Sequence, residues 1–135
     1  MFLWAKALYL FLERMYLMSI HRIHHDLYRG AKKLTDPGDA GTIRVTQDLQ
    51  ICEMVTTTGE TRTLANPTKP GILFTLRLLT DGGDSVVTAA NGLNVTGNPT
   101  ATFEDDGDLL HMISVTHTTG YRWEILVNTG AVALA

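Results

Sequence analysis

Apolar and polar positions follow two different rules along this chain, and the rule changes at Asp36-Pro37-Gly38. Upstream, Ile20, Ile23, Leu27, Ala31 and Leu34 recur at spacings of three and four, the apolar stripe of an amphipathic helix. Arg22, His25, Arg29, Lys32 and Lys33 lie mostly off that stripe, and Lys32 and Lys33 in a last turn suit the negative end of a helix. Further upstream, Phe2–Leu12 is apolar except for Lys6. Thr35-Asp36-Pro37-Gly38 stops the helix, because the residue before a proline is pushed out of the α region. Gly30 weakens the helix, and an isolated helix of this length is marginal in water. The arm therefore orders only against something else.

Downstream the period falls to two. Ile72, Phe74, Leu76 and Leu78 alternate with Leu73, Thr75, Arg77 and Leu79, predicting a strand buried on one face and partly on the other. Further β-prone runs are Thr42–Thr46, Leu49–Thr56, Thr61–Ala65, Val86–Ala90, Leu93–Thr96, Thr100–Phe103, Leu110–Thr118, Tyr121–Val127 and Ala131–Leu134. Between them lie turn sequences such as Asp81-Gly82-Gly83-Asp84, Asn91-Gly92 and Asp105-Asp106-Gly107-Asp108. Nine or ten short strands at nearly even spacing predict a mainly β chain, an antiparallel β-sandwich or jelly-roll-like barrel with an N-terminal α-helical arm. The expected division is an arm over 1–35 and a β-domain over 36–135.

Composition sharpens this contrast. Of 19 threonines, all but Thr35 follow Pro37, as expected of pleated, half-exposed surfaces. The arm carries six Lys/Arg against two Asp/Glu, a charge of +4, and the remainder five against twelve, a charge of −7. A net charge of −3 gives no reason to expect a nucleic-acid partner. Glu13-Arg14 interrupts the apolar start before the roughly 20 residues that a membrane span needs, and a membrane partner is not expected. No small-x-small cleavage site follows that would make the start a signal peptide. Met15 and Met18 are alternative starts beside Met1. Cys52 is the only cysteine, so no intrachain disulfide forms, and its place in an alternating run reads as core. Trp123, between Arg122 and Glu124, reads as a core anchor with outward charged neighbours.

Candidate chemistry is sparse. His21 and His25 stand four apart on one helix face, but two ligands are short of a structural metal site and no carboxylate completes a metalloprotease motif. His111 and His117 share a strand face with Asp106 and Asp108 nearby, and read as a surface pair. The acidic turns offer oxygens to calcium, but they lack the EF-hand spacing, and turn geometry alone explains Asp and Gly there. Asn94-Val95-Thr96 matches the glycosylation sequon, a common chance match. There is no nucleophile elbow, phosphate loop or dinucleotide fingerprint. The expectation is a non-enzymatic protein without cofactor or metal.

An ordered set of turns and strand ends carries a resemblance. It runs from Glu60-Thr61-Arg62-Thr63-Leu64-Ala65 and Pro67 through Gly71, Thr80-Asp81-Gly82-Gly83-Asp84 and Val86-Val87-Thr88. It continues with Asn94, Gly97, Thr102-Phe103, Asp106-Gly107-Asp108, Trp123, Asn128, Gly130 and Val132-Ala133-Leu134. From about residue 45 onward the chain resembles small β-domain virion structural proteins of tailed bacteriophages. That resemblance implies a capsid decoration (cement) role in the virion, assembled in the host cytoplasm, with no catalytic residues to carry over. The expected partners are further copies of the chain, as a homotrimer, and the major capsid protein or another virion protein. The arm residues expected to make that contact are Ile20, Ile23, Leu27, Arg22, Arg29, Lys32 and Lys33. The alternative is a glycan- or receptor-binding accessory β-domain of a tail or fibre, for which exposed loop aromatics are few. A membrane-anchored β-domain and an enzyme are the remaining classes.

Overall fold

The chain passes from one sheet to the other with almost every strand. In the computed structural model, which describes residues 5–15, 31–94 and 96–135, ten strands form two five-stranded sheets. The first sheet has the order β1-β3-β5-β8-β9, built from Lys32–Leu34, Gln50–Val55, Leu73–Thr80, Leu109–His117 and Gly120–Thr129. The second has the order β10-β7-β6-β4-β2, built from Ala133–Leu134, Thr100–Phe103, Ser85–Ala89, Glu60–Leu64 and Gly41–Ile43. The molecule divides into two units, 1–31 and 32–135, with a helix over 5–15 in the first.

The chain is mainly β and the body is a sandwich of two mixed sheets. The all-antiparallel expectation is corrected for its first half. β1, β3 and β5 pair in parallel, and so do β2, β4 and β6. Each circuit of the chain lays one strand on each sheet and the next circuit stacks on it. Lys32 registers with Gln50, and Gln50 with Phe74, while Gly41 registers with Arg62. From β7 the direction reverses, and β7, β8, β9 and β10 add antiparallel. Parallel coils depart from the jelly roll, which is an antiparallel arrangement, and the sheets keep open edges at β1, β9, β10 and β2.

Two sequence expectations fail on local grounds. β1 takes Lys32–Leu34 out of the predicted helix and into the first sheet, so the β-body begins four residues earlier than Asp36. Helical propensity is a weak term, and ladder pairing with β3 together with packing of Leu34 on the core overrides it. Leu93–Thr96 is not the expected strand: Leu93 and Asn94 lie in a bend and Thr96 in a turn. Asn94 Oδ1 accepts from the Asn98 N–H at 3.2 Å, and Asn94 O from the Gly97 N–H at 3.0 Å. This side-chain-to-backbone bonding displaces the ladder.

The core follows the predicted alternation. Ile72, Phe74, Leu76 and Leu78 are buried, as are Cys52, Met54, Leu110, Met112 and Trp123 from the first sheet. Ile43, Leu64, Val87, Ala89, Ala101 and Phe103 face them from the second. Burying each large apolar side chain contributes about 1.5–3 kcal/mol. Trp123 packs on Phe74 with ring centroids 5.6 Å apart, and its indole N–H donates to the Ala65 carbonyl at 3.0 Å. That bond satisfies the polar end of a buried indole.

Candidate interaction surfaces

Most charged groups of the body are committed to structure. Arg62 on β4 points between the sheets and its side chain is fully buried. Its guanidinium donates to Asp36 at 2.7 and 2.9 Å, to Glu60 at 2.9 Å, to Ser85 Oγ at 3.1 Å and to the Val55 carbonyl at 3.2 Å. Burial alone would raise the Asp36 carboxyl. The hydrogen bond from Arg62, those from the Val55 and Gly38 N–H groups, and the guanidinium charge outweigh it and hold the carboxyl below its ordinary value. For Arg62, burial works downward and is outweighed by Asp36 and Glu60, so the group is held above its ordinary value.

Several aspartates act over long sequence distances, and Asp108 acts within its own turn. Asp36 accepts from the Val55 N–H at 2.9 Å, Asp39 from Thr61 at 2.8 Å and Asp48 from Leu73 at 2.7 Å. Asp106 accepts from the Asp81 N–H, and Asp108 from Glu104 at 2.9 Å and Asp105 at 3.1 Å. Asp36, Asp39 and Asp48 each join one parallel circuit to a backbone donor of the next. The acidic turns therefore spend carboxylate oxygens on N–H groups. No group of three or more metal-ligating side chains gathers among the described residues.

The histidines are placed separately. His111 Nδ1 lies 2.9 Å from Thr75 Oγ1, and His117 Nδ1 lies 3.1 Å from Thr119 Oγ1. Asp108 is buried and turned into its own loop. Cys52 is buried, and burial first, then the charge of Asp36, push its thiol up to about 11. A thiol so placed is a core residue rather than a nucleophile.

Of the seven residues expected to make the arm contact, Ile20, Ile23, Leu27, Arg22 and Arg29 lie outside the described residues, as do His21, His24 and His25. Lys32 and Lys33 are corrected from helix end to edge strand. Lys33 pairs with Glu53 at 3.3 Å across the β1–β3 ladder, and Lys32 stands exposed beside Gln50. Assigning both lysines to the body leaves 1–31 with four Lys/Arg against two Asp/Glu, +2, and 32–135 with seven against twelve, −5.

On the body, Val55, Leu79, Leu126 and Val127 are exposed, and more apolar surface stands on the N-terminal helix. On the helix over 5–15, Leu8, Tyr9, Leu10, Phe11, Leu12 and Met15 are each more than half exposed. These residues lie on all sides of a helix. Among the described residues, no helix is long and apolar enough to cross a membrane. A scan of the sequence against protein-family models finds no match, and neither does a search among curated proteins.

Proposed function

We propose that this chain is a non-enzymatic structural protein of a tailed-phage virion, a decoration protein that docks through its N-terminal segment and associates with its own copies through the β-body. One observation carries the reading: six large apolar side chains stand exposed on the helix over 5–15. An apolar surface of that kind marks a contact with another macromolecule. The body supports the same reading, because its buried arginine and Asp36, Asp39 and Asp48 are engaged in holding the coils together. Such a body suits display and packing. In this reading the partner is the major capsid protein or a neighbouring virion protein, and the place is the virion.

The test is co-sedimentation with virions of the phage that encodes the chain, stripped of this protein. The full chain should pellet with the particles, and a chain lacking 1–31 should stay in the supernatant. Pelleting of the truncated chain, or absence of the protein from purified virions, would overturn the proposal.

A further inference from the structure

The apolar residues of the helix over 5–15 do not form a face. Leu8, Tyr9, Leu10, Phe11 and Leu12 are consecutive, and at about 3.6 residues per turn five consecutive positions pass right round the axis. Their exposures are similar, from 51% at Leu10 to 68% at Tyr9. Every residue from 5 to 15 is exposed, so burial sets no side of this belt apart. The charges stand at its two ends: Lys6 precedes Ala7–Leu12, and Glu13-Arg14 follows it.

That distribution decides what can cover the helix. A helix laid on a flat protein surface carries one apolar stripe and keeps polar residues opposite, whereas here the opposite side is apolar too. A helix lying in a lipid interface needs the same division, with a charged face toward water. A bundle of sister helices buries a seam and leaves the outer sides wet, so copies of this helix alone would still expose part of the belt. A bilayer span fails on depth. The six residues between Lys6 and Glu13 rise about 9 Å, against a hydrocarbon core of roughly 30 Å, and charges inside that core are costly. A helix apolar all round is stable when it is enclosed, and a protein cavity encloses it without requiring greater length.

We propose that the belt Ala7–Leu12 inserts into an apolar crevice of a larger protein assembly, which encloses it on all sides, with Lys6 and Glu13-Arg14 at the polar rim. The inference rests on the docking role in the reading above and names the kind of receptor: a cleft in the shell about two helical turns deep, not a patch on its surface. An apolar centre with charges kept to the rim is the anatomy of a protein interface. In a helix that lies in an open groove the anchoring residues recur every three or four positions. In an enclosed helix consecutive residues anchor alike, and that difference can be measured.

Single substitutions in the full chain, titrated onto the stripped virions, test this. Leu8→Asp, Tyr9→Asp, Leu10→Asp, Phe11→Asp and Leu12→Asp should each weaken co-sedimentation at least about tenfold, because each carries an unpaired carboxylate into an apolar site. Lys6→Ser and Arg14→Ser burden the helix comparably and should bind like the wild type. Urea midpoints of all seven variants should match the wild type, since these side chains are exposed. Loss at every third or fourth position with tolerance between would mean a helix lying on a surface, and would overturn the proposal. So would flotation of the full chain with phosphatidylglycerol vesicles, or particle-free oligomers of the wild type that the Asp substitutions dissociate. A wild-type chain that does not pellet removes the docking role and the crevice together. One that pellets and gives a periodic scan removes the crevice alone.

Discussion

Arg62 Nε lies 2.7 Å from Asp36 Oδ1, across 26 residues of sequence, and this pair ties the first circuit of the chain to the second. The guanidinium is walled in by both sheets, with Asp36 and Glu60 on one side and Ser85 on the other. Removing one partner of a buried pair leaves the other charge uncompensated. Arg62→Ala should therefore destabilise the fold by about 3–5 kcal/mol in urea unfolding. Asp36→Asn together with Arg62→Met should cost less than Arg62→Ala alone. A loss from Arg62→Ala below about 1 kcal/mol, in the range of exposed pairs, would mean that the pair is solvated in solution.

The same pair sets an acid limit. Asp36 has a folded value below 3.8, its ordinary value when unfolded. The unfolded chain therefore binds the proton first as pH falls, and the stabilisation from Asp36 is complete above that ordinary value. It declines as pH drops below 3.8 and is lost once pH passes through the lowered folded value. Unfolding free energies followed from pH 6 downward should fall in that window for the wild type. For Asp36→Asn the acid slope should be smaller, with other carboxylates supplying the rest. Equal slopes for the two proteins would remove Asp36 from the acid response.

Two glycines in neighbouring turns should respond unequally to the same substitution. A Cβ on Gly82 would collide with the backbone of Thr56 and Thr57, while one on Gly59 meets nothing within 4 Å. Gly82 sits where the turn after β5 stacks on the turn after β3, and its N–H donates to Thr56 Oγ1 at 3.0 Å. Gly82→Ala must push two turns apart and should cost about 1–3 kcal/mol, the range for overpacking. Gly59→Ala should stay within about 0.5 kcal/mol of the wild type. Thermal or urea midpoints of the two variants, measured side by side, check the contrast.

How much of this was legible in the sequence depends on the range of the interaction. The alternation of Ile72, Phe74, Leu76 and Leu78 sufficed to place one face of β5 in the core, because burial of alternate residues is a local pattern. The turns at Asp81-Gly82-Gly83 and Asp105-Asp106-Gly107 could be read as turns, since Gly and Asp have local reasons to be there. Their second role was hidden. That Asp48 caps Leu73 and Asp36 holds Arg62 depends on stacking of circuits 25 and 26 residues apart, which no window contains. Parallel pairing is not legible for the same reason: strand direction is set by which sheet each crossing reaches. For the interaction surface, Lys32 and Lys33 fit a helix by spacing, and a three-residue edge strand is too short to carry a period of its own. The exposed positions at Leu79 and Leu126 come from bulges, which have no composition signal here.

The boundary of the body can be tested by two truncations that differ by four residues. A chain beginning at Lys32 keeps β1, whereas one beginning at Asp36 loses it. The lost strand takes with it the Lys32 N–H bond to the Leu49 carbonyl at 2.8 Å, the β1–β3 ladder and the contact of Leu34 with the core. Burial of Leu34 is partial and each ladder hydrogen bond contributes about 1 kcal/mol net, so the shorter chain should be less stable by about 2–4 kcal/mol. The Lys33–Glu53 pair adds little, because the lysine is 62% exposed. Hydrogen exchange should localise the loss: amides of Gln50–Val55 that face β1 should exchange faster in the shorter chain, while those of β8 follow global stability alone. Equal urea midpoints for the two truncations would mean that β1 contributes nothing, and would return the start of the β-body to the residue before Pro37.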